Sequence, residues 1–126
     1  MNPSTILLRQ IHPKFVQNGR PTSQAFRPTP KDEDKLSVYD GDQIQPQPSW
    51  EHYTAVLGLE SKGVMGITLG ECSALDLGVT PDAATFAEHA LIDFSGLTKS
   101  VIEKKAKLLA QSAVQRDWLY IPIQQI

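Results

Sequence analysis

Cys72 is the only cysteine among 126 residues, and it could act as a nucleophile. A thiolate needs a nearby base or a helix N-terminus to lower its pKa. His12 or His89 could supply the base, and Cys72 lies close to the predicted start of a helix. A lone cysteine beside an aliphatic helix stripe is more often a small buried hydrophobic residue. We therefore predict a structural role for Cys72.

His12, His89 and Asp93 are the residues that could bind a metal ion. A spacing of four suits two ligands on a helix, but this segment alternates as a strand does, which separates His89 from Asp93 by about 13 Å. Asp40 and Asp42 flank a glycine and could hold a divalent cation, although that pattern is typical of a turn. The sequence contains no phosphate loop, dinucleotide glycine fingerprint or His-Glu-x-x-His motif. We predict neither a metal site nor a cofactor.

An arginine, a serine and an acid could form an enzymatic site. Arg9, Ser37 and either Glu71 or Glu88 resemble the arrangement of ADP-ribosyltransferases, which place an arginine on an early strand, a serine on a later strand and a glutamate near the end of the site. The resemblance implies a small enzyme acting on a nucleotide or a nucleic acid. The simpler interpretation makes Arg9 an ion-pair partner and Ser37 an outward strand residue. The enzyme requires these side chains to converge in one pocket.

A segment rich in proline, residues 13–35, shows no lasting period of 2 or 3.6, and we predict an extended loop. It carries Arg20, Phe26, Arg27 and Lys31, which combine positive charge with an aromatic ring. Long irregular segments in compact chains are often functional, and arginine and aromatic residues are enriched at binding hot spots. We predict that this loop contacts a partner through these four residues. The alternative is that it wraps the acidic surface of its own domain.

Charge is segregated along the chain. Residues 1–31 carry a net charge of +5, residues 32–94 carry −10 and the remainder carries +3, which together give the formal net charge of −2. These blocks can pair within the fold or with a partner, and pairing within the fold is favoured. A sequence pI of about 5.9 disfavours an unassisted nucleic-acid binder. A protein is therefore the favoured partner, with nucleic acid second.

Composition excludes several classes of protein. The chain is 40% apolar and 21% charged, as ordinary globular proteins are, and its length fits one domain. The sequence has no apolar run of the roughly 18–20 residues that a membrane span needs, and its start lacks the pattern of a signal peptide. One cysteine excludes an internal disulfide. We expect a cytoplasmic protein that does not contact membranes.

Hydrophobic periodicity predicts one α+β domain with a small mixed sheet. Strands are predicted at residues 5–11, 36–39, 64–69, 89–94 and 118–123. Helices are predicted at residues 49–58, 70–77, 81–87 and 99–115. The last helix is expected to pack on the sheet through Val101, Ile102, Leu108 and Leu109. Trp50 and Trp118 are expected to be largely buried.

Residues 7–13, 19–33 and 36–41 resemble a group of small uncharacterised bacterial proteins, and the likeness continues through residues 88–90 and 92–95 to residues 118–120. The resemblance implies a bacterial cytoplasmic origin and a role within a multi-gene system, and it brings no activity. No motif has coherent catalytic spacing. The sequence therefore predicts a non-catalytic protein-binding or regulatory module.

Overall fold

The structure is a computed structural model that describes residues 1–123. The described residues contain seven strands: β1 (Ile6–Ile11), β2 (Val16–Gln17), β3 (Arg20–Pro21), β4 (Lys35–Asp40), β5 (Gly63–Thr68), β6 (Gly78–Pro81) and β7 (His89–Asp93). The α-helices are α1 (Pro46–Glu51), α2 (Leu69–Ala74) and α3 (Lys99–Arg116), and a π-helical turn, His52–Val56, continues α1. The predicted α+β class is confirmed, but the predicted mixed sheet is wrong, because every strand pairing in the described sheet is antiparallel.

Five strands form one antiparallel sheet in the order β5–β1–β4–β7–β6, and β2 pairs with β3 as a separate hairpin. The main core lies between one face of the sheet and α3, where Phe26, Phe94 and Leu109 are fully buried. A smaller cluster on the other face packs Leu8 and Tyr39 against α1 and the turn that follows it. Alternating side chains of β1 therefore serve two cores. Among residues 1–123, no helix has the length and apolarity needed to cross a bilayer.

The helix predicted to begin at Ser49 begins earlier, at Pro46. Proline suits the first turn of a helix because it lacks the N–H that would have no partner there. Ser49 is buried inside the helix, where its hydroxyl donates to the carbonyl of Pro46 and accepts a hydrogen bond from the side chain of Gln10. The helix then widens, because the amide of Leu57 donates to the carbonyl of His52, five residues back.

Two predicted elements near the sheet edges are wrong. Residues 81–87 do not form a helical turn; instead Gly78–Pro81 is an edge strand beside β7, where a proline without an N–H is tolerated. Residues 118–123 do not form a full strand. Only Tyr120 makes an isolated bridge, to Val64.

The segment predicted as an extended loop is ordered and folds onto the domain. Asn18 and Gly19 have φ angles of 53° and 76°, as a tight β-hairpin turn requires, and they join β2 to β3. Three 3₁₀ turns occupy much of the remainder: Pro13–Phe15, Ser23–Phe26 and Pro30–Asp32. The second turn delivers Phe26 to the core beneath α3.

The contact face of α3 is narrower than predicted. Leu109 is fully buried, whereas Leu108 is 39% exposed, because neighbouring residues on a helix point about 100° apart. Val101 and Ile102 are partly buried. Small residues surround Leu109 on the buried face and let the helix approach the sheet: Ala106, Ala110 and Ala113. The two tryptophans are also only partly buried.

An ion pair joins α3 to the start of α2. Arg116 donates to both carboxylate oxygens of Glu71, at 3.1 and 3.0 Å, and to the carbonyl of Gly66. Glu71 also accepts from the amide of Thr68, and the hydroxyl of Thr68 accepts from the amide of Glu71, which completes a capping box. Burial alone would raise the pKa of Glu71, but the hydrogen bonds from Arg116 and Thr68 outweigh burial and lower it.

Leu109→Ala should lower the free energy of unfolding by about 2–5 kcal/mol, because it leaves a cavity in the main core. Leu108→Ala is the matched control on the adjacent, exposed position, and it should cost well under about 1 kcal/mol. Urea denaturation of both variants measures the difference. Equal losses would contradict the assignment of Leu109 to the core.

Glu71→Gln should lower the free energy of unfolding at pH 7 by on the order of 1 kcal/mol, because glutamine keeps the capping bond but loses the charge opposite Arg116. The folded-state pKa of Glu71 lies below its unfolded value of about 4.3, so this stabilisation is present above that pH and is lost as the pH falls through the folded-state pKa. Denaturation at pH 7 and pH 3 should therefore show a difference that shrinks in acid. Glu60→Gln, on an exposed loop, is the control. A pH-independent difference for Glu71→Gln would refute the ion-pair explanation.

Candidate functional site

The sheet divides between β1 and β4. These strands pair only at Leu7 with Asp40 and at Leu8 with Tyr39, although β1 pairs with β5 at six positions. A cleft of about 350 Å³ lies at the division, lined by residues 8–10 and 37–39. Leu8 and Tyr39 still pair at one end of the cleft, and beyond them the β1–β4 ladder stops, so residues 9–10 do not pair with residues 37–38.

Arg9 crosses the gap between the separated strands. Its Nε donates to the carbonyl of Ala25 and its Nη1 donates to the carbonyl of Ser37, both at 2.9 Å. A guanidinium has five N–H donors and stays protonated in proteins, so donors remain beyond these two bonds. In the described part of the chain, no carboxylate lies within 4 Å of this guanidinium.

The charge of Arg9 is held in a poorly solvated place. Burial lowers the pKa of Arg9, while nearby Tyr53 and Asp32 act in the opposite direction. Arg9, Asp32 and Tyr53 all line the cleft. The cleft thus presents a cation that is neutralised only at a distance.

Phe86 is the centre of an aromatic cluster on the wall of the cleft. Its ring centroid lies 4.8 Å from those of His52 and His89 and 5.0 Å from that of Tyr39. The hydroxyl of Tyr39 is 2.7 Å from Nδ1 of His52. Burial raises the pKa of Tyr39, and the charges of Tyr53 and Glu88 raise it further, so this phenol keeps its proton.

His89 is oriented by a carboxylate. Its Nδ1 lies 2.9 Å from Oδ2 of Asp82, which also accepts from the hydroxyl of Thr85 at 2.5 Å. The hydrogen bonds from Thr85 and His89 lower the pKa of Asp82. A carboxylate accepts only, so Nδ1 of His89 carries the proton and Nε2 remains available. A histidine held in this way can transfer a proton, and Arg9 can bind an anion.

The enzymatic constellation predicted from the sequence is brought together only in part. Arg9 and Ser37 line the same cleft, but Arg9 bonds to the carbonyl of Ser37 and not to its hydroxyl. Glu71 is held by Arg116, and neither Glu71 nor Glu88 lines the cleft.

The four loop residues predicted to contact a partner are in different surroundings. Arg20 and Lys31 are exposed. Nη1 of Arg27 lies 3.8 Å from Oε1 of Glu103 on α3. Phe26 is fully buried in the main core, which is not where a surface anchor would be. The loop therefore packs on its own domain around Phe26, and Arg20 and Lys31 are left facing solvent.

The nucleophile and metal candidates have structural surroundings. Cys72 is fully buried, and burial, with the charge of Glu71, raises the pKa of its thiol to about 12. Asp40 accepts a hydrogen bond from the amide of Asp42, as a turn residue does. Nδ1 of His12 accepts from the amide of Lys14, and Asp93 accepts from that of Ser95. Within residues 1–123, no three His, Cys, Asp or Glu side chains gather as a metal site would require.

Sequence reasoning missed the aromatic side chains of the cleft and His52, and it named His89 only as a possible base for Cys72 or a possible metal ligand, not as the partner of Asp82. Tyr39, Tyr53 and Phe86 come from three separate segments of the chain, and His52 and Phe86 meet only because the π-helical turn and residues 82–88 pack on the same face. Asp82 and His89 are seven residues apart, which matches neither the helical nor the strand period. No local signal identifies such a pair.

Comparisons with protein-family models, with curated proteins and with solved structures find no match to this chain.

Asp82→Asn should shift the tautomer of His89, because an amide can donate to Nδ1 as readily as accept from it. Long-range ¹H–¹⁵N spectra of the imidazole should show proton occupancy at Nδ1 in the unmodified protein and a mixture of both tautomers in the variant. Asp93→Asn is the control, since the Asp93 carboxylate accepts from Ser95. Identical imidazole spectra for the unmodified protein and Asp82→Asn would contradict the orienting role of Asp82.

Proposed function

We propose that this chain is a non-catalytic binding protein that holds a negatively charged group of another protein above Arg9. The observation that carries the proposal is the guanidinium of Arg9, which lines a cleft, has donors beyond its two carbonyl bonds and has no carboxylate within 4 Å in the described residues. Arg9 is partly buried, and a partly desolvated charge without a close counter-ion is costly. An incoming anion would offset that cost.

The free energy gained by binding such an anion is large for a single contact. A hydrogen bond to a charged group contributes about 1.5–3 kcal/mol, and a guanidinium can make two parallel bonds to one carboxylate or phosphate. Because Ala25 and Ser37 already fix the side chain of Arg9, little conformational entropy is lost on binding. Arg9 is thus organised for an anion before the anion arrives.

The proposal also covers the cellular location of the protein and the system in which it acts. The resemblance of residues 7–13, 19–33 and 36–41 to small bacterial proteins supports a bacterial cytoplasmic location and a role in a multi-gene system. Nucleic acid is the less favoured partner, since the acidic Asp32 lines the cleft beside Arg9.

A small enzyme acting on a nucleotide is the second candidate, and the pairing of Asp82 with His89 favours it. In that enzyme Arg9 would bind a phosphate and His89 would transfer a proton. Incubation with NAD⁺ and with ATP, followed by mass spectrometry, separates the two candidates. Turnover that His89→Gln abolishes would favour the enzyme; intact nucleotides are expected for the binding protein.

Titration with sodium acetate and with sodium phosphate tests the binding function. The side-chain Nε–H signal of Arg9 in ¹H–¹⁵N spectra should shift saturably with at least one anion, because its donors would engage the ligand. The amides of Ser37 and Tyr53 should move with it. The Nε–H signal of Arg20, which is exposed, is the internal control.

Sodium chloride at matched ionic strength separates binding from screening. If Arg9 does not respond to either anion, or responds only as Arg20 does, the cleft is not an anion site and the proposed function is wrong.

A further inference from the structure

We propose that the group bound above Arg9 is the C-terminal carboxylate of a partner protein whose last residue is apolar. This inference rests on the proposed function and names its ligand. It draws on the charge of the cleft, on the exposed leucines at its rim and on the size of the space between them.

The charge of the cleft fits a monoanion. Arg9 is the one arginine or lysine among the lining residues that the structure describes, and Asp32 contributes a carboxylate to the same lining, more than 4 Å from the guanidinium. A doubly charged phosphate would face a single permanent cation and would be repelled by Asp32. A carboxylate carries one charge and matches the two-pronged geometry of a guanidinium.

The rim of the cleft is apolar and open to solvent. Leu57 and Leu59 line the cleft and are 42% and 48% exposed, and neighbouring Val56 is 71% exposed. Large apolar side chains clustered at the mouth of a cavity are typical of a binding surface. The ligand should therefore carry an apolar group close to its carboxylate.

A chain terminus satisfies both requirements at once. The last residue of a polypeptide carries its carboxylate and its side chain on the same Cα, so one residue can reach Arg9 and the leucines together. An internal Asp or Glu fits less well, because its side chain ends in a carboxylate without an apolar branch. The polypeptide would also have to leave the site on both sides of that residue. A volume of about 350 Å³ is near the lower end for ligand pockets, which suits one terminal residue.

The rest of the partner would extend past the exposed turn after α1. Tyr53 and Ser37 also line the cleft and offer hydroxyl donors for the second carboxylate oxygen. Capture of a C-terminal carboxylate is a known mode of peptide recognition, and a guanidinium matches the two oxygens of a carboxylate.

Fluorescence anisotropy with labelled pentapeptides tests this assignment. A peptide that ends in leucine with a free carboxylate should bind, and the same peptide with a C-terminal amide should bind at least tenfold more weakly. A peptide that ends in serine should also bind more weakly, because it cannot cover Leu57 and Leu59. Equal binding of acid and amide, or no binding of the leucine acid, would overturn the inference.

Leu57→Ser is the variant that isolates the apolar rim, and its exposed position should leave the melting temperature unchanged. This substitution should weaken the binding of the leucine-ending peptide severalfold and leave the shift of the Arg9 signal on addition of acetate unchanged. Arg20→Gln, which lies outside the cleft, should change neither. Unchanged peptide binding in Leu57→Ser would show that the apolar rim does not contact the peptide.

Two further outcomes distinguish a failure of the C-terminal assignment from a failure of the proposed anion-binding function. If acetate or phosphate shifts the Arg9 signal but no peptide binds, the C-terminal assignment is wrong and the anion-binding function stands. If no anion shifts that signal, the function itself fails. A free acid, 4-methylpentanoate, should bind more weakly than the peptide. Equal affinity would mean that the ligand is a small organic acid and would overturn the assignment of the ligand to a partner protein.

Discussion

The side chain of Arg9 joins the two halves of the sheet where the backbone does not. Between β1 and β4 the ladder lasts for two residue pairs, and beyond it a guanidinium donates to carbonyls from β4 and from the turn that carries Phe26. The same group therefore closes the sheet, fixes the loop on α3 and presents a charge to the cleft. The residue that presents a charge to the cleft is thus also one that holds the fold together.

The segregated charges of the sequence are partly paired within the domain. Arg116, from the basic C-terminal block, binds Glu71 in the acidic middle block, and Arg27, from the basic N-terminal block, lies near Glu103. Exposed pairs such as the second contribute little, whereas the partly buried contact of Arg116 also satisfies a backbone carbonyl. Two basic groups of the loop, Arg20 and Lys31, remain exposed.

Local periodicity predicted most of the sheet and the long helix, because those elements bury one face each. Periodicity failed where the structure of a segment depends on a contact with residues distant in sequence. Thr80 and Pro81 match a helix start, but pairing with β7 holds them in a strand. For the site, Arg9 and Ser37 were identified as candidates by residue type. Tyr53 and Phe86 could not be, since their role depends on three elements meeting across the divided sheet.

The π turn at His52–Val56 makes the rim of the cleft sensitive to the length of the chain. Such turns contain one residue more per hydrogen-bonded loop than an α-helix, and they are found frequently at functional sites. Loss of a single residue there would restore regular winding and rotate Leu57 by about 100° relative to α1. Insertions and deletions at this turn would consequently change the shape and polarity of the rim while leaving β1, β4 and α3 intact.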